Sequence, residues 1–210
     1  MSESTDQPLS GKTIILDAGH GGTDPGAIGP LGLYESEALA GGEAAMNEKD
    51  LNLAIILRAK EKVEALGAEV ILTRESDTTV DIYKRLELYN NTCPDLAISV
   101  HQNSMAYNTD ITKIRGFIGL YWADSGKLLT SSLSSSVASA LRRLEREPTQ
   151  QRLALVRNRK FPASLIEIGF ITSVEEYEKL MQDSSIDATA EAIAQGIVQF
   201  YQNQEQWIVK

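Results

Sequence analysis

Cysteine is almost missing from this sequence: of 210 residues, only Cys93 carries a thiol. A lone cysteine excludes an internal disulfide and a cysteine-built zinc cage. It does not fix the compartment, because exported proteins without disulfides are common. Basic charge is also in short supply, with 20 Lys and Arg against 29 Asp and Glu and a net charge of -9. With no basic patch, nucleic acid is not expected as a partner. Nowhere does an apolar run approach the roughly 18 residues of a membrane span, and no signal peptide is visible. Residues 1–11 are polar and Ser-rich and read as a flexible tail or a cloning remnant; if the natural protein is exported, its signal has been cut away. Histidine is the last scarcity, with only two in the chain, His20 and His101.

Hydrophobic residues make up 42% of the chain, enough to give one domain a sizeable core over residues 12–210. The stretch KTIILDAGHGGTDPGA, Lys12 to Ala27, opens as a short buried strand and ends in a glycine-rich turn holding His20. Asn47 stands where a helix cap is needed, and Leu51, Ile55, Leu57, Val63 and Leu66 follow at near-helical spacing up to Gly67. Residues 68–73 give a second strand and residues 80–91 a second helix. DLAISV (95–100) makes a third strand running straight into His101, and GFIGLYW (116–122) a fourth. A helix over 125–144, a short edge strand over 153–156, the strand ASLIEIGF (163–170) and closing helices over 174–182 and 186–202 complete the reading. This alternation predicts a single α/β domain, a mostly parallel twisted β-sheet with helices on both faces. Right-handed crossovers then bring the carboxyl ends of the strands to one rim, where ligands bind in such sheets.

That rim gathers both histidines and Glu167, which stands near the end of its strand among apolar neighbours. Two imidazoles and one carboxylate suffice for a catalytic zinc that keeps its fourth position for water. Zinc lowers the pKa of that water to about 7, and a carboxylate outside the ligand set can move its proton. Glu167, held by a strand, suits the second role. For the ligand, Glu48 in the first helical turn cannot be separated by physics from Glu35, Glu37 or Glu43 in the long spacer before it. That spacer, residues 28–45, reads equally as a lid, part of a groove, or a surface loop. Asp17 is either an acceptor for the His20 imidazole or a turn cap. Asn103 is a substrate donor or a turn cap. Arg74 and Arg85 are expected to pair with Asp77 or Asp81, Cys93 to be buried, and Tyr121 and Trp122 to pack or line a groove.

The segments LDAGHGGTDPGAIG, NEKDLNL, LTRESD, ISVHQNS and PASLIEIGFIT, taken in order, resemble the zinc-dependent N-acetylmuramoyl-L-alanine amidases of bacterial cell walls, the type 3 amidase family. The resemblance spans nearly the whole domain. It implies that His20, Glu48 and His101 bind Zn2+ and that Glu167 is the catalytic carboxylate. It further implies peptidoglycan as substrate, cut between the lactyl group of N-acetylmuramic acid and L-alanine, by an enzyme exported to the cell wall or periplasm. The acidic balance implies that a wall-binding module or activator missing from this chain supplies targeting. A zinc carboxypeptidase or other peptidoglycan peptidase on the same scaffold is the alternative, while the G-H-G-G pattern lacks the spacing of a nucleotide-binding loop.

Overall fold

The computed structural model describes residues 7–29, 46–106 and 115–208, with side chains as far as 204. Its frame is a six-stranded sheet built from β1 (Thr13–Ala18), β4 (Glu69–Leu72), β5 (Leu96–Asn103), β6 (Ile118–Tyr121), β7 (Thr149–Gln150) and β8 (Ala163–Phe170), in the order β4-β1-β5-β8-β6-β7. The first four in that order run parallel, β6 is antiparallel to β8, and β7 is parallel to β6. A separate antiparallel pair joins β2 (Ile28–Gly29) to β3 (Met46–Asn47). Five helices are described: α1 (Glu48–Ala65), α2 (Ile82–Thr92), α3 (Asp124–Ala140), α4 (Val174–Leu180) and α5 (Asp183–Ile208).

The two-residue period of the strands sorts the chain into two faces. Ile14, Leu16, Ile98, Val100, Ile166 and Ile168 point to one side, into a core closed by α1, α3 and α5. Ile15, Ala97 and Ala163 point to the other, against Tyr89 of α2 and the loop residues Leu155 and Phe161. Helices on both faces therefore follow from β-branched and aliphatic strands that have no polar side to give to water. Continuing the second parity to the strand ends, Asp17, Ser99, His101 and Glu167 leave the sheet on the α2 side.

Several elements differ from the sequence expectation. The apolar run 153–156 is no edge strand: residues 154–156 form a turn, burying Leu155 and Val156, and the edge pairing falls on the exposed Thr149 and Gln150. The expected helix over 125–144 stops at Ala140, with Leu141 as cap and Arg142 at φ 51°. Asn47 occupies the cap position of α1 without capping through its side chain; the carbonyls of Ala27 and Pro25 instead accept from the amides of Glu48 (2.8 Å) and Lys49 (3.2 Å). Cys93 is exposed rather than buried, ending α2 in the left-handed region at φ 46°. Within the stretch read as a tail, Leu9 is fully buried and its amide donates to the Leu66 carbonyl, while residues 7, 8, 10 and 11 are exposed.

Leu133, fully buried on α3, lies against Gly196 of α5. Replacing it with alanine removes aliphatic contacts and leaves a cavity, an expected loss of about 2–5 kcal/mol. Urea unfolding followed by circular dichroism measures it, and an unchanged midpoint would show that this seam does not support the fold.

Candidate active site

β1 delivers the chain into a turn in which His20 itself adopts φ 62°, a left-handed conformation a side chain normally avoids. The peptides around it are held from below. Asp17, fully buried, accepts from the guanidinium of Arg85 and from the hydroxyls of Thr73 (2.6 Å) and Ser99. Arg85 also donates to the carbonyls of Ala18 (2.8 Å) and His20 (2.6 Å). Arg74 donates to four carbonyls, those of Ala18, Gly19, Lys49 and Ser76. Neither arginine takes the partner expected from sequence. Asp77 instead binds Lys49 and the Gly22 amide, and Asp81 caps α2 by accepting from the amides of Tyr83 and Lys84. Asp17 orients the turn and not the His20 ring.

That ring is oriented by Asp24, whose carboxylate lies 2.8 Å from Nδ1. The opposite nitrogen, Nε2, faces Glu48 Oε1 at 3.2 Å, and the same oxygen lies 3.0 Å from His101 Nδ1. The ligand-capable atoms of His20, Glu48 and His101 all fall within 4.8 Å of one another, the one such cluster among the described residues. Two donors each about 2.0–2.1 Å from a tetrahedral zinc stand roughly 3.3 Å apart, so the nitrogen–oxygen spacings suit such an ion. The rest of Glu48 is fixed as well. Oε2 accepts from the Ala27 amide (2.9 Å), and Oε1 from the Gln102 amide (3.0 Å) and Asn52 Nδ2 (3.3 Å). Burial opposes its charge, but the hydrogen bonds and charges of His101 and His20 outweigh this and lower its pKa. Burial likewise lowers His20, and Glu48 and Asp24 more than reverse it, raising the pKa to about 9. Gly19 is required here, since a Cβ would stand 2.3 Å from the His101 ring.

Glu167 comes to the same place by register, opposite His101 on β5 and Ile118 on β6. Its Oε2 is buried without a hydrogen-bond partner. Burial pushes its pKa up to about 7, with Glu48 adding to the rise and the histidines opposing it. A carboxyl that titrates near neutrality beside a polar cluster is equipped to accept and return a proton. A cavity of about 360 Å³ opens beside the two histidines, lined by His20, His101, Asp24, Thr79, Ile82 and Leu155 among others, with neither Glu48 nor Glu167 in its wall.

The four residues singled out from sequence thus converge. Of their competitors, Glu35, Glu37 and Glu43 lie outside the described residues, as does most of the 28–45 spacer. Asn103 ends β5, and its side-chain oxygen accepts from the Ser104 amide. Tyr121 is buried, and Trp122 packs on Leu120, Val156 and Leu165. Sequence reading missed Asp24 and Asn52; the one available signal was Asp24 four residues beyond His20 in the same glycine turn.

The family model described as N-acetylmuramoyl-L-alanine amidase (Amidase_3) matches residues 14–199. The chain is 30% identical over 195 residues to the uncharacterized protein YqiI of Bacillus subtilis (strain 168), covering 93% of this chain and 87% of that one. It is 29% identical over 194 residues to the N-acetylmuramoyl-L-alanine amidase LytC of the same organism, covering 92% of this chain but 36% of LytC. Among solved structures it superposes on the CwlD amidase of Clostridioides difficile, described in complex with the GerS lipoprotein. That match has a TM-score of 0.78 and 30% identity, over 91% of this chain and 99% of CwlD.

The unpaired carboxyl has a measurable cost in metal-free protein. With its pKa raised from 4.5 to about 7, the folded state holds the Glu167 proton more tightly than the unfolded chain does. The cost is therefore absent below about pH 4.5, grows between the two values and is complete above about 7. Chelator-treated Glu167→Gln is expected to melt higher than chelator-treated wild type at pH 8, with the gap closing towards pH 4.5. Melting temperatures across that range check it, and a pH-independent gap would contradict it.

Proposed function

The chain belongs to the N-acetylmuramoyl-L-alanine amidase family, and from that premise we propose that His20, Glu48 and His101 hold a catalytic Zn2+ while Glu167 moves the protons of hydrolysis. The enzyme hydrolyses an amide of peptidoglycan; the bond is that between N-acetylmuramic acid and L-alanine. One observation carries the reading above the rest: three metal-capable donors converge beside Glu167, a carboxyl with one oxygen buried and unpaired.

A bound Zn2+ supplies a water that ionises near neutrality and a Lewis acid for the scissile carbonyl. The chain's own groups do the remaining work. Asp24 accepts from His20 Nδ1 and so leaves the Nε2 lone pair facing the centre. Glu48, fixed by backbone and Asn52 donors, contributes its negative charge without needing to reorganise. Glu167 takes a proton from the attacking water at a carboxylate oxygen and delivers it to the departing alanine nitrogen. Burial raises the Glu167 pKa in the metal-free protein, and a carboxyl so raised is suited both to take up a proton and to return it. The cavity beside His20 receives the substrate.

Peptidoglycan as substrate puts the working enzyme outside the cytoplasmic membrane, in the wall or periplasm. No helix among the described residues is long and apolar enough to cross a membrane. Residues 12–210 act as the catalytic domain, and a wall-binding module or activator beyond this chain does the targeting. The short span of LytC that the chain covers and the complex of CwlD with a lipoprotein support this.

Digestion of purified peptidoglycan by zinc-loaded and chelator-stripped protein, with mass analysis of the products, tests the reaction. The expected products are stem peptides beginning in L-alanine and unpeptidated glycan, formed only with zinc. Cleavage within the peptide would make the enzyme a zinc peptidase instead. For the residue roles, Glu167→Ala is expected to keep its zinc and lose at least about 10²-fold in turnover. His20→Ala and His101→Ala should lose both. Normal hydrolysis by Glu167→Ala would overturn its assignment.

A further inference from the structure

Arg74 is an unusual cation. It is 4% exposed, yet among the described residues no carboxylate hydrogen-bonds to it: Asp17, Asp77 and Asp50 act on it only through space, and its hydrogen-bond partners are main-chain carbonyls. A buried charge is costly without compensation, so a residue whose task was only to fill space would be better served by an apolar side chain. The carbonyls it selects are informative. Nη2 accepts nothing and donates twice: to the Gly19 carbonyl at 3.1 Å and to the Lys49 carbonyl at 2.6 Å. The first belongs to the residue directly before His20, the second to the residue directly after Glu48. Nε holds the next carbonyl back along the turn, that of Ala18, at 3.0 Å. The side chain runs beneath the turn so closely that a Cβ on Gly21 would come within 3.0 Å of its Cδ and Nε.

Two of the three metal-capable residues sit on elements that no strand pairing joins: His20 on the turn after β1 and Glu48 on the first turn of α1. Asn52 bridges them from another direction, its Nδ2 lying 3.3 Å from both the Gly19 carbonyl and Glu48 Oε1. His20 is moreover held at φ 62°, a conformation that persists only where its surroundings enforce it.

We propose that Arg74 is a positioning residue of the metal centre, one guanidinium nitrogen bridging the peptides that flank His20 and Glu48 and so setting the spacing of the two ligands. The inference rests on the metal-site reading above. It requires the planar fork as well as the charge, because a lysine ammonium on its flexible stem cannot hold the Ala18, Gly19 and Lys49 carbonyls in one fixed plane.

The test is zinc affinity by competition with a chromogenic chelator, together with the visible spectrum of the Co2+-substituted protein, for wild type, Arg74→Lys, Arg74→Gln and Leu133→Ala. Both Arg74 variants are expected to bind zinc about 10- to 100-fold more weakly, the range typical when groups that orient ligands are removed, and to show a displaced cobalt absorption band. Leu133→Ala lowers the melting temperature and leaves affinity and spectrum unchanged, which separates lost positioning from lost stability. Wild-type affinity in Arg74→Lys would overturn the proposal by showing that charge alone suffices. Failure of both Arg74 variants to fold would overturn it too, assigning the residue to the fold. Absence of stoichiometric zinc binding by the wild type would instead remove the metal-site reading beneath it.

Discussion

A single carboxylate oxygen, Glu48 Oε1, is where this structure's elements meet. It lies between the imidazoles of His20 and His101 and accepts from the Gln102 amide and from Asn52. A negative charge placed so far from water would be prohibitive alone. Here it is compensated by nitrogens from β1's turn, from β5 and from its own helix. The position of α1 against the sheet therefore carries an electrostatic condition as well as an apolar one. Leu51, Ile55 and Ile56 bring the helix to the core, and Glu48 fixes how its first turn meets the strand ends.

A second buried charge lies underneath the first. Asp17 and Arg85 pair within the fold, and the hydroxyls of Thr73 and Ser99 complete the carboxylate's shell. Such a pair adds little net stability compared with apolar residues, but losing one partner leaves the other stranded. What it contributes is shape: Arg85 grips the Ala18 and His20 carbonyls and holds a strained turn in place. The glycines serve the same end at two points. Gly19 makes room for the His101 ring, and Gly26, at φ 65°, lets the turn pass against Glu48 and His20.

Much of this was legible in the sequence because the rim of a parallel sheet is a strong constraint. Apolar runs located the strands, and His20, His101 and Glu167 each followed from standing at a strand end. Glu48 did not: only family resemblance separated it from Glu35, Glu37 and Glu43. The partners of Asp17 were out of reach, because Thr73, Arg85 and Ser99 lie 56, 68 and 82 residues away and no local pattern encodes such pairings. The edge strand was misplaced for a different reason. Leu153 to Val156 are apolar because Leu155 and Val156 pack onto the sheet face, whereas the pairing residues, Thr149 and Gln150, are polar and exposed and carry no periodic signal. Apolar character reports burial, and burial need not mean strand.

The central claim is that the His20, Glu48 and His101 side chains form a zinc site, and anomalous diffraction from crystals grown with Zn2+ addresses it most directly. Data collected on either side of the zinc edge are expected to give one strong anomalous peak bounded by those three side chains, with Glu167 beside it and not coordinating. An empty site in a crystal that binds zinc elsewhere, or a peak ligated by Glu167 in place of Glu48, would contradict the account.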